Sequence, residues 1–259
     1  MSRATPEDLP ALLQLLTGSG LPVDDLDDPQ ANVQLFVARD TQGLAGVVGL
    51  QLAGDRGLLR SLVVAPERRG QGWGRALVTE AERAALREKL HELVLLTETA
   101  APFFEHLGYR AADRGGMPAA VQATRSFASL CPATARCLSK PLELAIYHNG
   151  NCGTSRNVLQ ILRQASLEPR IIEYLRTPPD RQTLLHLLQR MEMRPRELLR
   201  EKGTPYAELG LDDPALSDDT LIDHMLAQPI LINRPIVVAP WGVKLCRPSE
   251  TARELLGLA

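Results

Sequence analysis

The sequence predicts two domains in tandem, an α+β domain over residues 1–140 and an α/β domain over residues 141–259. Three observations lead there. A length of 259 residues is long for one core and suits two of roughly 100–150 residues. Early strand-like runs separated by glycine turns give way to alternation with helices. Near residues 139–142 the pattern restarts, with a strand leading into a loop and another helix.

In chain order, Thr5, Pro6, Glu7 and Asp8 read as a helix start: an N-cap, a proline at the first helical position and acids in the first turn. The helix should run to about Leu16. Runs at 33–39, 44–52 and 57–64 follow, separated by turns at 40–43 and 53–56, and read as antiparallel neighbours. A glycine-rich turn opens an amphipathic helix over about 74–89, then come a short apolar run at 93–97 and a helix near 102–107. The second half reads as a strand at 143–147, a helix, a strand at 170–174, three helices and two short strands at 236–239 and 243–246.

Composition excludes several classes. A net charge of -2 gives no global basic field, so nucleic acid is not an expected partner. No apolar stretch approaches the ~18 residues that span a bilayer, and the first residues lack the order of a signal peptide, so the expectation is a cytoplasmic protein without membrane attachment. Cys131, Cys137, Cys152 and Cys246 form no CxxC pair or Cys/His cluster, which argues against a metal site or a disulfide framework.

The run YHNGNCGTSRN at 147–157 follows a strand and starts a helix, placing Cys152 among free backbone N–H groups. That position stabilises a thiolate, lowering its pKa from about 8.5 to between roughly 3.5 and 7.5, and the same N–H groups can hold a tetrahedral oxyanion. Thr154 and Ser155 could add hydroxyl donors and Arg156 a charge. The competing reading is a small buried core cysteine, the usual fate of a lone one.

This loop, extended to IYHNGNCGTSRNVLQILR, resembles the start of the glutaredoxin-coupled arsenate reductases, where HNPxCGTSRNT surrounds the catalytic cysteine. The resemblance continues through RELLR at 196–200, PYAELGL at 205–211, LID at 221–223, PILINRPIVV at 229–238 and LCRPSE at 245–250. It implies a thioredoxin-like domain with a helical insertion. Cys152 would be the nucleophile, and Arg200, Arg234 and Arg247 would bind arsenate and its thiolated intermediates. His148 and Ser155 would support the cysteine. A cis Arg234–Pro235 bond is also expected, against a base rate of about 5%. With Ser at 155 the loop holds no resolving cysteine, so the second thiol should come from outside; the resemblance implies glutathione and then glutaredoxin, while Cys246 reads as packing. Gly150 and Asn151 stand where the family commonly has Pro and Ala.

In the first half, Val64 precedes a turn of alternating glycines, Arg69, Gly70, Gln71, Gly72, Trp73 and Gly74, with a helix after it. Successive N–H groups there form an anion nest. A dinucleotide-binding reading is disfavoured, because the preceding strands look like hairpins and no acidic residue follows on a second parallel strand. The turn instead resembles the R/Q-x-x-G-x-G/A motif of the GCN5-related N-acetyltransferases, and the segment 97–109 resembles their A-x-x-F-Y-E-x-L-G-F stretch. Residues 117–133 resemble acetyltransferases encoded with arsenic-resistance genes. The resemblance implies acetyl-CoA held by Val64 and residues 69–74, and a small-molecule acetyl acceptor bearing an amine. Phe104 stands where many relatives carry a tyrosine that protonates the departing thiolate. Glu98 or Glu105 is a candidate base, with a solvated surface role as the competing reading. A non-catalytic acetyl-CoA-binding module stays open for this half. A thioredoxin-like transcription regulator is the alternative for the other, disfavoured by CGTS in place of CxxC and by the full arginine set.

Overall fold

The computed structural model describes residues 1–26, 28 and 31–258. The chain forms two compact units, Met1–Leu142 and Glu143–Ala259.

Among the described residues, the first unit carries a seven-stranded sheet. Its strands are β1 (Ser2–Arg3), β2 (Val33–Asp40), β3 (Gly43–Ala53), β4 (Arg56–Val64), β5 (Glu92–Thr97), β6 (Arg110–Ala111) and β7 (Arg136–Pro141), in the order β1-β2-β3-β4-β5-β7-β6. β2, β3 and β4 are antiparallel neighbours, as the glycine turns between them predict. β4 and β5 run parallel but pair only over Arg56–Leu58 and Glu92–Val94, although both strands continue. That break opens the sheet at its middle. Helix α2 (Trp73–Arg87) buries Leu77, Val78, Ala81, Ala84 and Ala85, a 3.6-residue stripe, against Val48, Leu50, Leu59 and Leu93. The remaining helices of this unit are α1 (Leu9–Gly18), α3 (Ala101–His106) and α4 (Ala119–Gln122).

Two features differ from the expectation. Thr5 and Asp8 do form a capping box, with the Thr5 N–H donating to Asp8 Oδ2 at 2.8 Å, but they close a single 3₁₀ turn over Pro6–Asp8. The α-helix starts at Leu9, because Pro10 has no N–H and fits only a first turn. The second feature is β7, which pairs along the whole of β5. Its core-facing Lys140 makes a buried ion pair with Glu82 at 2.7 Å and lies 5.4 Å from the centre of the Tyr109 ring. A lysine at a core position, compensated only by a partner 58 residues away, hides the apolar alternation that marks a strand.

The second unit has a four-stranded sheet in the order β11-β10-β8-β9 among the described residues, with β8 (Ala145–His148), β9 (Arg170–Glu173), β10 (Ile236–Ala239) and β11 (Gly242–Leu245). β8 and β9 are parallel, and β10 is antiparallel to both β8 and β11. Helix α5 (Gly153–Gln164) links the two parallel strands and packs on β8 and on α9 (Thr251–Leu256) through Ser155, Val158 and Leu162. Between β9 and β10 come α6 (Arg181–Met191), α7 (Pro195–Leu198) and α8 (Asp218–Ala227). Their Leu184, Leu188, Leu221, Ile222 and Met225 form one core with Ile236 and Val238 of the sheet. This is a thioredoxin-like sheet with a helical insertion. Among the described residues no helix is long and apolar enough to cross a membrane.

Candidate active sites

Cys152 is the N-cap of α5, with extended backbone (φ -95°, ψ 120°), and its carbonyl accepts the Arg156 N–H at 3.1 Å. The loop before it is braced. The Cys152 N–H donates to the Asn149 carbonyl at 2.9 Å, the Asn151 N–H to Asn149 Oδ1 at 2.9 Å, and Arg156 Nη1 to the Gly150 carbonyl at 2.8 Å. Burial pushes the thiol pKa up, but the backbone N–H and hydroxyl of Ser155, then the Arg247 guanidinium and the charge of Arg234, bring it down to about 7. Near neutrality about half the sulfur is therefore thiolate.

Two backbone connections assemble the arginines. The Arg200 N–H donates to the Leu231 carbonyl at 2.7 Å and the Asn233 N–H to the Leu198 carbonyl at 2.9 Å, an antiparallel bridge centred on Leu199 and Ile232. The Cys246 N–H donates to the Pro235 carbonyl at 2.9 Å, which sets Arg247 beside Arg234. The Arg234–Pro235 and Arg247–Pro248 bonds are both cis, the first as expected. Arg247 Nη1 lies 3.9 Å from Cys152 Sγ and donates to the Arg234 carbonyl at 3.2 Å. Arg234 is only 5% exposed, and its Nε and Nη1 find no hydrogen-bond partner among the described residues. Burial lowers the Arg200 pKa, and the charges of Arg234 and Arg247 lower it further. Three guanidinium groups thus crowd one thiolate, an arrangement that favours a multiply charged oxyanion in their midst.

In the first unit, a cleft of about 800 Å³ opens where β4 and β5 part. Its walls include Leu59–Val64 of β4, Leu95–Thr97 of β5, Phe103 and Phe104, with the loops at 19–22 and 130–132 on the other side. Ser61 has a left-handed φ of 53° within β4. Gly70 and Gly72 are also left-handed (φ 76° and 86°), and no atom stands within 4 Å of where a Cβ would project, so the turn leading into α2 is open to a ligand. At Gly74 a Cβ would come 3.2 Å from Phe103 Cζ, so any side chain there would have to shift the Phe103 ring by a few tenths of an ångström.

Comparison with known proteins separates the two units. The ArsC family profile matches residues 147–255, and an arsenate reductase of Rhizobium meliloti (strain 1021) is 53% identical over 115 residues, 44% of this chain and 82% of the relative. The chain belongs to the arsenate reductase family. The acetyltransferase (GNAT) domain profile matches residues 31–111, so the arsenate reductase domain is fused to a GNAT domain. Among solved structures, an arsenate reductase from Vibrio cholerae is 38% identical, with 44% of this chain and 97% of that chain covered and a TM-score of 0.42. Rv2747 from Mycobacterium tuberculosis, solved with CoA, is 21% identical, with 54% and 98% covered and a TM-score of 0.47.

Within the reductase domain, the fold brings Cys152, Ser155, Arg200, Arg234 and Arg247 into one site. His148 ends β8, is buried, and leaves Nδ1 without a partner among the described residues; burial lowers its pKa, so the ring is neutral at pH 7. The side-chain contact to the thiol comes instead from the Arg247 guanidinium. Cys246 is fully buried and its thiol is pushed up to about 12 by that burial, which suits packing. In the GNAT domain Val64, Arg69 and Gly74 line the cleft, while Gly70, Gln71, Gly72 and Trp73 form the turn between them. Arg69 Nε reaches back to the Val64 carbonyl at 3.4 Å, and Gln71 Nε2 to the Glu67 carbonyl at 3.3 Å. Glu98 lines the cleft and accepts from Thr134 Oγ1 at 3.4 Å, whereas Glu105 is paired with Arg136 at 2.6 Å. Sequence reasoning missed Ser61 and Cys131 as residues of the cleft wall. Ser61 carries no motif, Cys131 falls in the 117–133 stretch with nothing there to mark it as a lining residue, and only the turn of the chain in space brings them to the cleft.

Proposed function

We propose that the reductase domain converts arsenate to arsenite through Cys152, and that Arg200, Arg234 and Arg247 bind the oxyanion. The observation that carries this reading is the 3.9 Å approach of Arg247 Nη1 to a thiol whose pKa is near 7, beside an Arg234 fork whose Nε and Nη1 are unpartnered among the described residues. Arsenate enters as an anion and pairs with the guanidinium forks, which neutralise its oxygens and lower the repulsion toward the incoming thiolate. The sulfur forms a bond to arsenic(V) and one oxygen leaves as water after taking up protons. A second thiol then attacks. Over the cycle two thiols give two electrons to arsenic, yielding arsenite, a disulfide and water. Cys246 is buried and Cys152 stands alone in its loop, which supports a second thiol from outside the chain; the resemblance to the glutaredoxin-coupled reductases supports glutathione in that role and glutaredoxin for the mixed disulfide.

For the GNAT domain, the parted strands β4 and β5 and the open glycine turn support acetyl-CoA binding. The N–H groups of residues 70–74 would hold the pyrophosphate, and the exposed edge of β4 beyond Leu58 would take the pantetheine arm. Bound acetyl-CoA supplies an activated acetyl group for an amine, with organoarsenicals among the candidate acceptors. Phe104 is buried and has no hydroxyl to protonate a thiolate, which favours the second reading, a domain that binds acetyl-CoA without turnover.

The decisive experiment is arsenite release from arsenate by the full chain with glutathione and glutaredoxin. Release by the wild type and none by Cys152→Ser supports the proposal, and retention of release by the serine variant ends it. Free CoA thiol appearing with any amine supports transfer, and acetyl-CoA binding without thiol release supports the binding module.

A further inference from the structure

Arg200 leaves its backbone bridge into an exposed turn of Glu201, Lys202 and Gly203, which ends at the partly buried Thr204. The turn folds back over the arginine. Arg200 Nε donates to the Lys202 carbonyl at 2.8 Å, and at Gly203, with a left-handed φ of 70°, a Cβ would stand 3.8 Å from Arg200 Nη2. The Thr204 hydroxyl closes the turn from its far end, with Oγ1 2.7 Å from the Arg200 carbonyl and 2.8 Å from the Glu201 carbonyl. One proton serves both acceptors, a shared bond of the i−4 and i−3 kind that threonine hydroxyls make to the backbone.

A partly exposed arginine samples many rotamers, and an anion that binds it must stop that motion. The bond from Nε fixes the guanidinium plane before any ligand arrives, and among the described residues the two Nη groups form no hydrogen bond. That bond is only as firm as the Lys202 carbonyl, which sits in an exposed turn. The turn is anchored by the Leu199 bridge on one side and by the Thr204 hydroxyl on the other. The same bridge faces the segment that runs through Asn233 to Arg234, whose carbonyl accepts from the Arg247 group beside Cys152. Burial, then the charges of Arg234 and Arg247, lower the Arg200 pKa, as expected of a guanidinium turned toward that cluster.

We propose that Thr204 is a positioning residue for the oxyanion site: its hydroxyl closes the turn whose Lys202 carbonyl holds Arg200 Nε, and so presents the Arg200 Nη groups to the anion. The inference rests on the reductase reading and adds a residue to it. Thr204 acts through Arg200, so the loss it predicts falls on anion binding and spares the thiol.

The test is Thr204→Val, which keeps the branched shape and removes the hydroxyl, with Thr204→Ser as the conservative variant, both in the full chain. Arsenate protection of Cys152 against iodoacetamide is measured without added glutathione, alongside KM, kcat and melting temperature. The expected result for Thr204→Val is a rise of about fivefold in the half-protecting arsenate concentration and in KM, with kcat within about twofold. Thr204→Ser should stay within about twofold of the wild type in protection and KM. The pH midpoint of Cys152 alkylation without arsenate should not move, because no bond of Thr204 reaches the sulfur. In an Arg200→Ala background Thr204→Val should change half-protection by less than about twofold. Unchanged protection and KM, with or without a lower melting temperature, would overturn the proposal, as would a serine variant as weak as the valine one, a shifted alkylation midpoint, or a full effect in the Arg200→Ala background. A wild-type chain that arsenate fails to protect would remove the oxyanion site and this proposal together. One that arsenate protects but that releases no arsenite would sink the reductase reading and leave the comparison of the Thr204 variants standing.

Discussion

Arg247 Nη1 and Cys152 Sγ, 95 residues apart in sequence, stand 3.9 Å from each other, and the same nitrogen holds the carbonyl of Arg234. The contact ties the thiol to the backbone of Arg234 through a single guanidinium. Its consequences can be measured.

Alkylation of Cys152 should follow a titration centred near pH 7, where the other three thiols stay slow. Cys131, Cys137 and Cys246 are all pushed upward by burial, the last two to about 11 and about 12. Peptide mapping after iodoacetamide at pH 7 should find the label on Cys152 alone. Because the folded pKa of Cys152 is depressed, its contribution to stability is fully present above the ordinary thiol pKa and fades as pH falls through about 7. Denaturation of the wild type and Cys152→Ser should therefore differ more at pH 9 than at pH 6.

Arg234→Ala removes the fork whose Nε and Nη1 are unpartnered among the described residues and should weaken arsenate binding by roughly 100-fold, the scale of a lost charge-assisted pair in a desolvated site. Isothermal titration with arsenate reads this directly. An affinity within twofold of the wild type would remove Arg234 from the site.

In the GNAT domain, Asp25 is fully buried and grips Arg60 with two bonds of 2.5 and 2.6 Å. Asp25→Ala leaves the Arg60 charge buried without its carboxylate and should destabilise this unit by about 3–5 kcal/mol. Chemical denaturation followed by probes in the first unit would detect it, while arsenite release is expected to persist below the new melting temperature.

Gly72→Val places a branched side chain at φ 86°, a conformation that costs about 1–2 kcal/mol for an L-residue, and projects it into the open turn. Acetyl-CoA affinity should drop by at least roughly tenfold while arsenite release stays at the wild-type rate. Equal affinity in the two proteins would mean that the turn does not bind the cofactor.

Much of the site was legible because its residues lie in local signals. Cys152, Ser155 and the strand-to-helix turn are contiguous, and the N-cap position follows from the sequence order alone. The glycines at 70 and 72 announce left-handed backbone because other residues avoid it. Strand β7 was not legible, since its Lys140 makes sense only beside Glu82 and Tyr109. Nor was the start of the first α-helix, where Pro10 overrode the signal at Thr5.

By itself the sequence determined the two-part organisation, the element that presents the cysteine and the residue types around it, since these depend on periodicity and on caps a few residues long. Tertiary structure alone decided which arginine reaches the sulfur and that Arg234 keeps nitrogens unpartnered among the described residues. It also decided that β4 and β5 part to open a cleft. Such facts depend on hydrogen bonds between segments tens of residues apart, whose geometry no local propensity encodes.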